Sequence, residues 1–305
     1  MRAKNSNRIR TKKPADIVAD VINILLMGLL AFICLYPFYY VLINTISNND
    51  AVMKNQVWFW PQDFHLENYI SVFRLKGIFR ATLISVARTV IGTALTVLSC
   101  GILGYAMTRQ EYWHRKFWYR FMVITMYFNA GLIPGYLNIK QLGLMNSFLV
   151  YILPAMASAY NMVLVKTYIE NIPTSLEEAA ILDGAGYFDR FVRIIVPLSK
   201  PILATIAIFA AVGQWNSYMD TVLYTTGSDL QTLQSLMQSY IARAKAIQDL
   251  LQNTGNAAMA QAAASLNVTA VRHTITAITM IPVLLIYPFF QRYFTKGIMI
   301  GAVKG

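Results

Sequence analysis

The sequence predicts an all-α, polytopic membrane protein with six transmembrane helices. Three observations predict it. Hydrophobic residues fill 56% of the 305 positions and charged ones only 13%, about half the charged share of a soluble domain. Six apolar stretches each approach the roughly 17–25 helical residues needed to cross a hydrocarbon core about 30 Å thick. Aromatic residues, 13% of the chain, suit a protein with two membrane–water interfaces to mark. The composition excludes a disordered chain and a soluble globular one.

The first expected span covers 21–43, after a basic arm holding Arg2, Lys4, Arg8, Arg10, Lys12 and Lys13. The run is longer than a signal-peptide core and ends in Tyr36-Pro37-Phe38-Tyr39-Tyr40 without a small-residue cleavage site, so it reads as a retained span. A connection at 46–80 carries Trp58, Phe59, Trp60 and Pro61. These are either an interfacial anchor or a docking surface for an external partner. The second span, 89–107, contains no charge. The third, 121–137, carries Tyr127 and Asn129 and a Gly131/Gly135 spacing suited to helix packing. The fourth, 147–165, carries Asn161.

The fifth span, 202–219, stops at Asp220. Its outer half clusters Gln214, Trp215, Asn216, Tyr218 and Asp220. Polar residues inside spans are costly and mark pathways or bundle interiors. Flat aromatic faces and amides suit sugar rings and hydroxyls, so these five residues and Asn129 are candidate substrate-path residues. An aromatic belt with interhelical hydrogen bonds is the plain alternative. Segment 225–271 is too long for a bare loop. Leu230, Leu233, Leu236, Met237, Tyr240 and Ile241 recur at helical steps, Gly255 breaks the pattern and Ala257 to Ala264 resumes it, which predicts two short helices outside the membrane. The sixth span is 274–290.

Of the 26 Lys and Arg residues, 17 fall on 1–16, 108–120, 166–200 and 291–305, and 7 on the opposite loops. By the positive-inside rule both termini are cytoplasmic. The tails 1–16 and 295–305 thus flank a transmembrane domain at 17–294. The same asymmetry accounts for the net charge of +12 without nucleic acid as a partner. Cys34 and Cys100 fall inside spans, and two cysteines make no metal framework.

The inside segment 166–201 carries the strongest pattern. Thr174 with Glu177, or Ser175 with Glu178, forms a capping box after Pro173, which predicts a helix start. Gly184 and Gly186 end that helix, one of them in a left-handed cap. A second helix places Phe188, Phe191, Val192 and Ile195 on one face, with Asp189, Arg190 and Arg193 opposite, as for a helix lying on the inner membrane surface. Pro197 and Pro201 lead into the fifth span.

Glu178-Ala179-Ala180, three residues, Gly184, nine residues, then Ile194-Ile195-Val196-Pro197 resembles the EAA signature of importer-type ABC permeases, with Val196 where that family usually has Leu. The ending Gly301-Ala302-Val303-Lys304-Gly305, with Gln291 to Phe294 and Lys296-Gly297 before it, resembles the tail of the second permease in maltose-type carbohydrate importers. The phrasing is nearest to the branch that handles complex oligosaccharides. The resemblance implies a type I ABC importer permease fold with a cytoplasmic coupling-helix elbow. It implies ATPase-coupling roles for Glu177, Glu178, Ala179, Ala180, Asp183, Gly184 and Pro197, and ATPase contacts for Lys296, Gly301, Lys304 and Gly305. The implied partners are a homologous second permease, two ATP-binding subunits and an extracellular or periplasmic solute-binding protein. The implied cargo is an oligosaccharide and the implied location the bacterial cytoplasmic membrane.

No G-x-x-x-x-G-K-[ST] occurs, so ATP and Mg2+ are expected on partner subunits and no cofactor on this chain. His65, His114 and His273 are scattered and form no metal or catalytic constellation, so the chain is expected not to be an enzyme. Two alternatives remain on the residues alone. An ion-gradient transporter would place charges at the midplane, often with inverted repeats. A membrane-embedded enzyme would cluster acids or His at a membrane surface.

Overall fold

The computed structural model describes residues 14–227, 229–254 and 271–285. All regular structure among them is helical. Helix α1 (Pro14–Thr45) runs through the first expected span with Pro37 in its interior. It buries no residue from Asp16 to Leu42. Its far end packs on the chain: Ile43 meets Ala51, Val52 and Val57, and the Asn68 amide donates to the Thr45 carbonyl at 3.0 Å. The aromatic cluster sits beside it. The Tyr36 and Tyr39 hydroxyls donate to the carbonyls of Trp58 and Phe59 at 3.1 and 2.5 Å. Short helices α2 (Asn49–Met53) and α3 (Glu67–Phe73) occupy the rest of that connection.

Helix α4 (Ile78–Ala106) is the centre of the bundle and starts well before Thr89. The expected third span is not one helix. It is α5 (Arg115–Thr125) and α6 (Leu132–Gln141). Between them the Asn129 side-chain oxygen accepts from the Gly131 N–H at 2.8 Å and Gly131 takes φ +87°. Such a turn satisfies the backbone locally and cannot continue a helix. The expected fourth span is also broken. Residues Phe148–Ala155 form tight 3-10 turns, and α7 (Ala159–Ile169) leaves them at 45°, with the Ser158 hydroxyl capping the Asn161 N–H at 3.3 Å.

After α8 (Ser175–Leu182), helix α9 (Tyr187–Leu198) contains a π-helical turn at Phe191–Ile195. Helix α10 (Lys200–Asn216) departs from it at 80°. Then come α11 (Met219–Tyr224), α12 (Leu233–Thr254) and α13 (Val271–Leu285). Helix α12 is the first of the two helices expected in 225–271, and it runs 22 residues. The second, with Ala257 to Ala264, lies outside the described residues, as do 286–290 of the sixth expected span. By length and apolarity α1 and α4 each suffice to cross a membrane. The pairs Phe148–Ala155 with α7 and α9 with α10 also do so if each is one bent span.

Two of the apolar cores among the described residues join the long helices. Cys100, Tyr105, Met162, Val165, Ile195 and Ile206 join α4, α7, α9 and α10 in one. Ile78, Ala81, Trp215, Leu233, Leu236 and Ile275 join α4, α10, α12 and α13 in the other. The α4–α7 crossing needs a hydrogen at position 104. A Cβ on Gly104 would stand 2.8 Å from Val165 Cγ1 and 3.3 Å from the Lys166 backbone nitrogen. Gly104→Ala is therefore expected to force the two backbones apart at a cost of about 1–3 kcal/mol. A lowered thermal midpoint in detergent checks this, and an unchanged midpoint contradicts it.

Candidate functional site

Two places gather the sequence-predicted residues: the elbow α8–α9, and a buried polar cluster where α4 meets the end of α10. In the elbow, the capping box does not form. Thr174 already has helical dihedrals and makes no side-chain cap bond, the Glu177 N–H donating to its carbonyl at 3.0 Å instead, and the Glu177 side chain is engaged elsewhere. Its carboxylate accepts from the Tyr105 hydroxyl at 3.0 Å and is ion-paired with Arg109. The Arg109 guanidinium also lies 4.6 Å over the Tyr105 ring. Glu177 is only 8% exposed, and a guanidinium satisfies a desolvated carboxylate better than a backbone N–H does. The clasp ties the first turn of α8 to the end of α4.

The far end of α8 matches the glycine expectation. Gly184 takes φ +79°, its N–H donates to Ile181 at 3.0 Å, and the Ala185 N–H donates to Ala180 at 2.9 Å. These are the two bonds of a Schellman turn. The outward face of α8 carries Glu178, Ala179, Ile181, Leu182 and Asp183, with Leu182 88% exposed. Ala180, expected to face a partner with Ala179, is instead turned inward and buried.

In α9 the expected faces are displaced. Phe188 is exposed, but Arg190, expected on the polar face, is buried on the same side as Ile195, with its guanidinium 4.3 Å over the Tyr187 ring. The π turn adds a residue to one turn, which rotates the C-terminal part of the helix against its N-terminal part. Arg193 and Asp189 pair at 3.3 Å on the outside. Pro197 is exposed in the last turn before the bend at Ser199. The tail residues Lys296, Gly301, Lys304 and Gly305 lie outside the described residues.

The second place is organised by a residue that the span boundaries set aside. Arg88 is only 2% exposed. Its terminal nitrogens reach the two Asp220 oxygens at 3.2 and 2.5 Å, its Nε donates to Gln214 Oε1 at 3.1 Å, and Nη1 also donates to the Ser217 carbonyl at 3.3 Å. The guanidinium lies 4.3 Å over the Tyr151 ring. Gln214 Nε2 in turn donates to the Tyr151 carbonyl at 3.0 Å. Gly92 permits this approach, since a Cβ there would stand 2.6 Å from Gln214 Nε2. The Ser217 carbonyl belongs to the frayed end of α10, so Arg88 closes that helix as well as pairing Asp220.

Beside the cluster is a cavity of about 600 Å3 lined by Arg88, Thr96, Tyr160, Asn161, Phe209 and Asp220, among others. Gln214 and Asp220 both line this cavity. Trp215 does not, because it is buried in the second core with its indole N–H on the Thr279 carbonyl at 2.8 Å. Asn216 meets Gln234 at 3.5 Å, Tyr218 is half-buried off the cavity, and Asn129 is used by its own turn. A sequence signal for Arg88 existed. It precedes Gly92 and Thr96 by four and eight residues, which puts a cation on a small, polar helix stripe.

A family model described as binding-protein-dependent transport system inner membrane component matches residues 6–300. The chain is 34% identical over 275 residues to the polygalacturonan/rhamnogalacturonan transport system permease protein YtcP of Bacillus subtilis (strain 168), covering 90% of this chain and 94% of that one. It is 31% identical over 288 residues to the protein LplC of the same organism, covering 94% and 95%. It is similar to a crystal structure of a bacterial ABC transporter involved in the import of the acidic polysaccharide alginate. There the TM-score is 0.81 at 28% identity, over 93% of this chain and 99% of that one.

Proposed function

The chain belongs to the family of binding-protein-dependent transport system inner membrane components, and from that premise we propose that it carries pectin-type oligosaccharide into the cell as the second permease of an ATP-driven importer. As a transport permease subunit it is non-catalytic. Its partners are a related permease, two ATP-binding subunits and an external solute-binding protein that delivers the sugar. Both termini and the elbow face the cytoplasm, as the 17-to-7 division of basic residues favours, and six spans cross the membrane. The cargo reading is supported by the pectic polymers named for one relative and the acidic polysaccharide named for the structural neighbour.

The observation that carries the mechanism is the outward face of α8. Two acids, Glu178 and Asp183, flank exposed Ile181 and Leu182 on a helix whose other side is clasped to α4. Such a face suits a groove on a cytoplasmic ATPase. When ATP draws the two ATPase subunits together, α8 moves with them as a rigid body, and the clasp passes that movement to α4. The spans then rock between inward- and outward-open, and hydrolysis resets them. Glu178, Ala179, Asp183 and Gly184 act at this contact, Glu177 and Ala180 hold α8 from behind, and Pro197 sets the departure of α10.

The experiment is purification of a tagged chain in mild detergent. It is expected to bring down a second permease and an ATP-binding subunit, and the reconstituted complex to lose uptake when ATP is withdrawn. Uptake driven by an ion gradient without ATP would restore the secondary-transporter reading and overturn this one.

A further inference from the structure

Asn161 is 6% exposed and lines the cavity beside α4, α7 and α10. Its backbone N–H is capped by Ser158, but its side-chain amide has no hydrogen-bond partner among the described residues. The amide opens on the cavity, where no side chain of the described residues occupies its donor and acceptor. An amide offers a carbonyl acceptor beside an NH2 donor, which matches two neighbouring hydroxyls. The rings of Tyr160 and Phe209 line the same cavity, 54% and 44% exposed, and give flat apolar faces for a sugar ring.

Arg88 lines the cavity too, yet its charge is spent. Both terminal nitrogens are on Asp220, Nε is on Gln214, and a cargo carboxylate would have to displace Asp220 to reach it. We propose that this cavity is a sugar subsite of the chain that reads hydroxyls and not charge, with Asn161 as its specificity-determining residue. This rests on the carbohydrate reading above and adds to it which chemical feature of the sugar this subunit recognises.

The test uses the complete importer in proteoliposomes and two radiolabelled probes. One is trigalacturonate; the other is trigalactose made from it by reducing the carboxyl groups, which keeps the ring hydroxyl pattern and removes the charge. Asn161→Ala is expected to raise the uptake KM for both probes about tenfold, the scale of one well-placed neutral hydrogen bond. The maximal rate and the sugar-free ATP hydrolysis stay near wild type. Isosteric Asn161→Asp, which keeps the volume and loses the NH2 donor, raises KM for both and more for trigalacturonate. An unchanged KM in Asn161→Ala, with the wild type transporting, overturns the subsite alone. A loss confined to trigalacturonate overturns it in favour of carboxylate recognition. A wild-type complex that moves neither probe overturns the pectic cargo reading, and the subsite as stated with it.

Discussion

Asp220→Ala is expected to cost the folded chain about 3–5 kcal/mol, the scale seen when one partner of a buried ion pair is removed. The cause is what stays behind. Arg88 is almost fully buried, and without Asp220 this cation keeps only Gln214, the Ser217 carbonyl and the Tyr151 ring. Removing both charges, as in Arg88→Met with Asp220→Leu, should cost much less, since a buried pair repays its desolvation only in part. The pair Arg80–Asp229 is a built-in control. It too is a direct pair, at 2.9 Å, but its side chains are 58% and 76% exposed, so its loss should cost at most about 1 kcal/mol. Thermal midpoints in one detergent, for the singles, the double and the control, decide the matter. If the double variant fell as far as Asp220→Ala, an uncompensated cation would not be the cause.

Gly184→Pro is expected to abolish sugar-stimulated ATP hydrolysis and uptake while leaving the chain in the membrane. Proline holds φ near −65°, whereas this position stands at +79°. It also removes the N–H that donates to Ile181. Both losses fall on the turn that sets how α8 meets α9, and neither touches the bundle cores. Gly184→Ala keeps the N–H and strains φ by about 1–2 kcal/mol, so it should retain part of the activity. Glu178→Lys should resemble the proline variant by a different route, because it reverses the charge on the outward face and leaves the turn intact. Reconstituted complexes with wild-type sugar-stimulated turnover in Gly184→Pro would remove the elbow from the coupling path.

The elbow was largely legible in the sequence because its signals are local. A run of helix formers from Leu176 to Leu182 and a glycine two residues later specify a short helix and a left-handed end. The apolar run of α1 was equally plain. What escaped depended on contacts far along the chain or on backbone detail. Span boundaries drawn to exclude charge stopped at Thr89, yet Arg88 lies inside α4 and is compensated by a residue 132 positions away. Apolar runs at 121–137 and 147–165 predict straight helices, because hydropathy does not register an Asn129–Gly131 turn or a Pro154 break. Glu177 matched a capping box with Thr174, but Thr174 joins the helix itself, and the Glu177 carboxylate goes to Tyr105 and Arg109, some seventy residues earlier. The π turn in α9 has no compositional mark, so the burial of Arg190 beside Ile195 has no sign in the sequence.

The first helix has a consequence of its own. Since nothing between Val21 and Leu35 is enclosed by the described residues, the described fold asks of those positions only that they be oily. Large and small, branched and unbranched side chains should substitute freely there as far as this subunit is concerned. Any preference for particular shapes along that stretch is therefore the imprint of a contact beyond the described residues, and reading it position by position would outline the neighbour that left it.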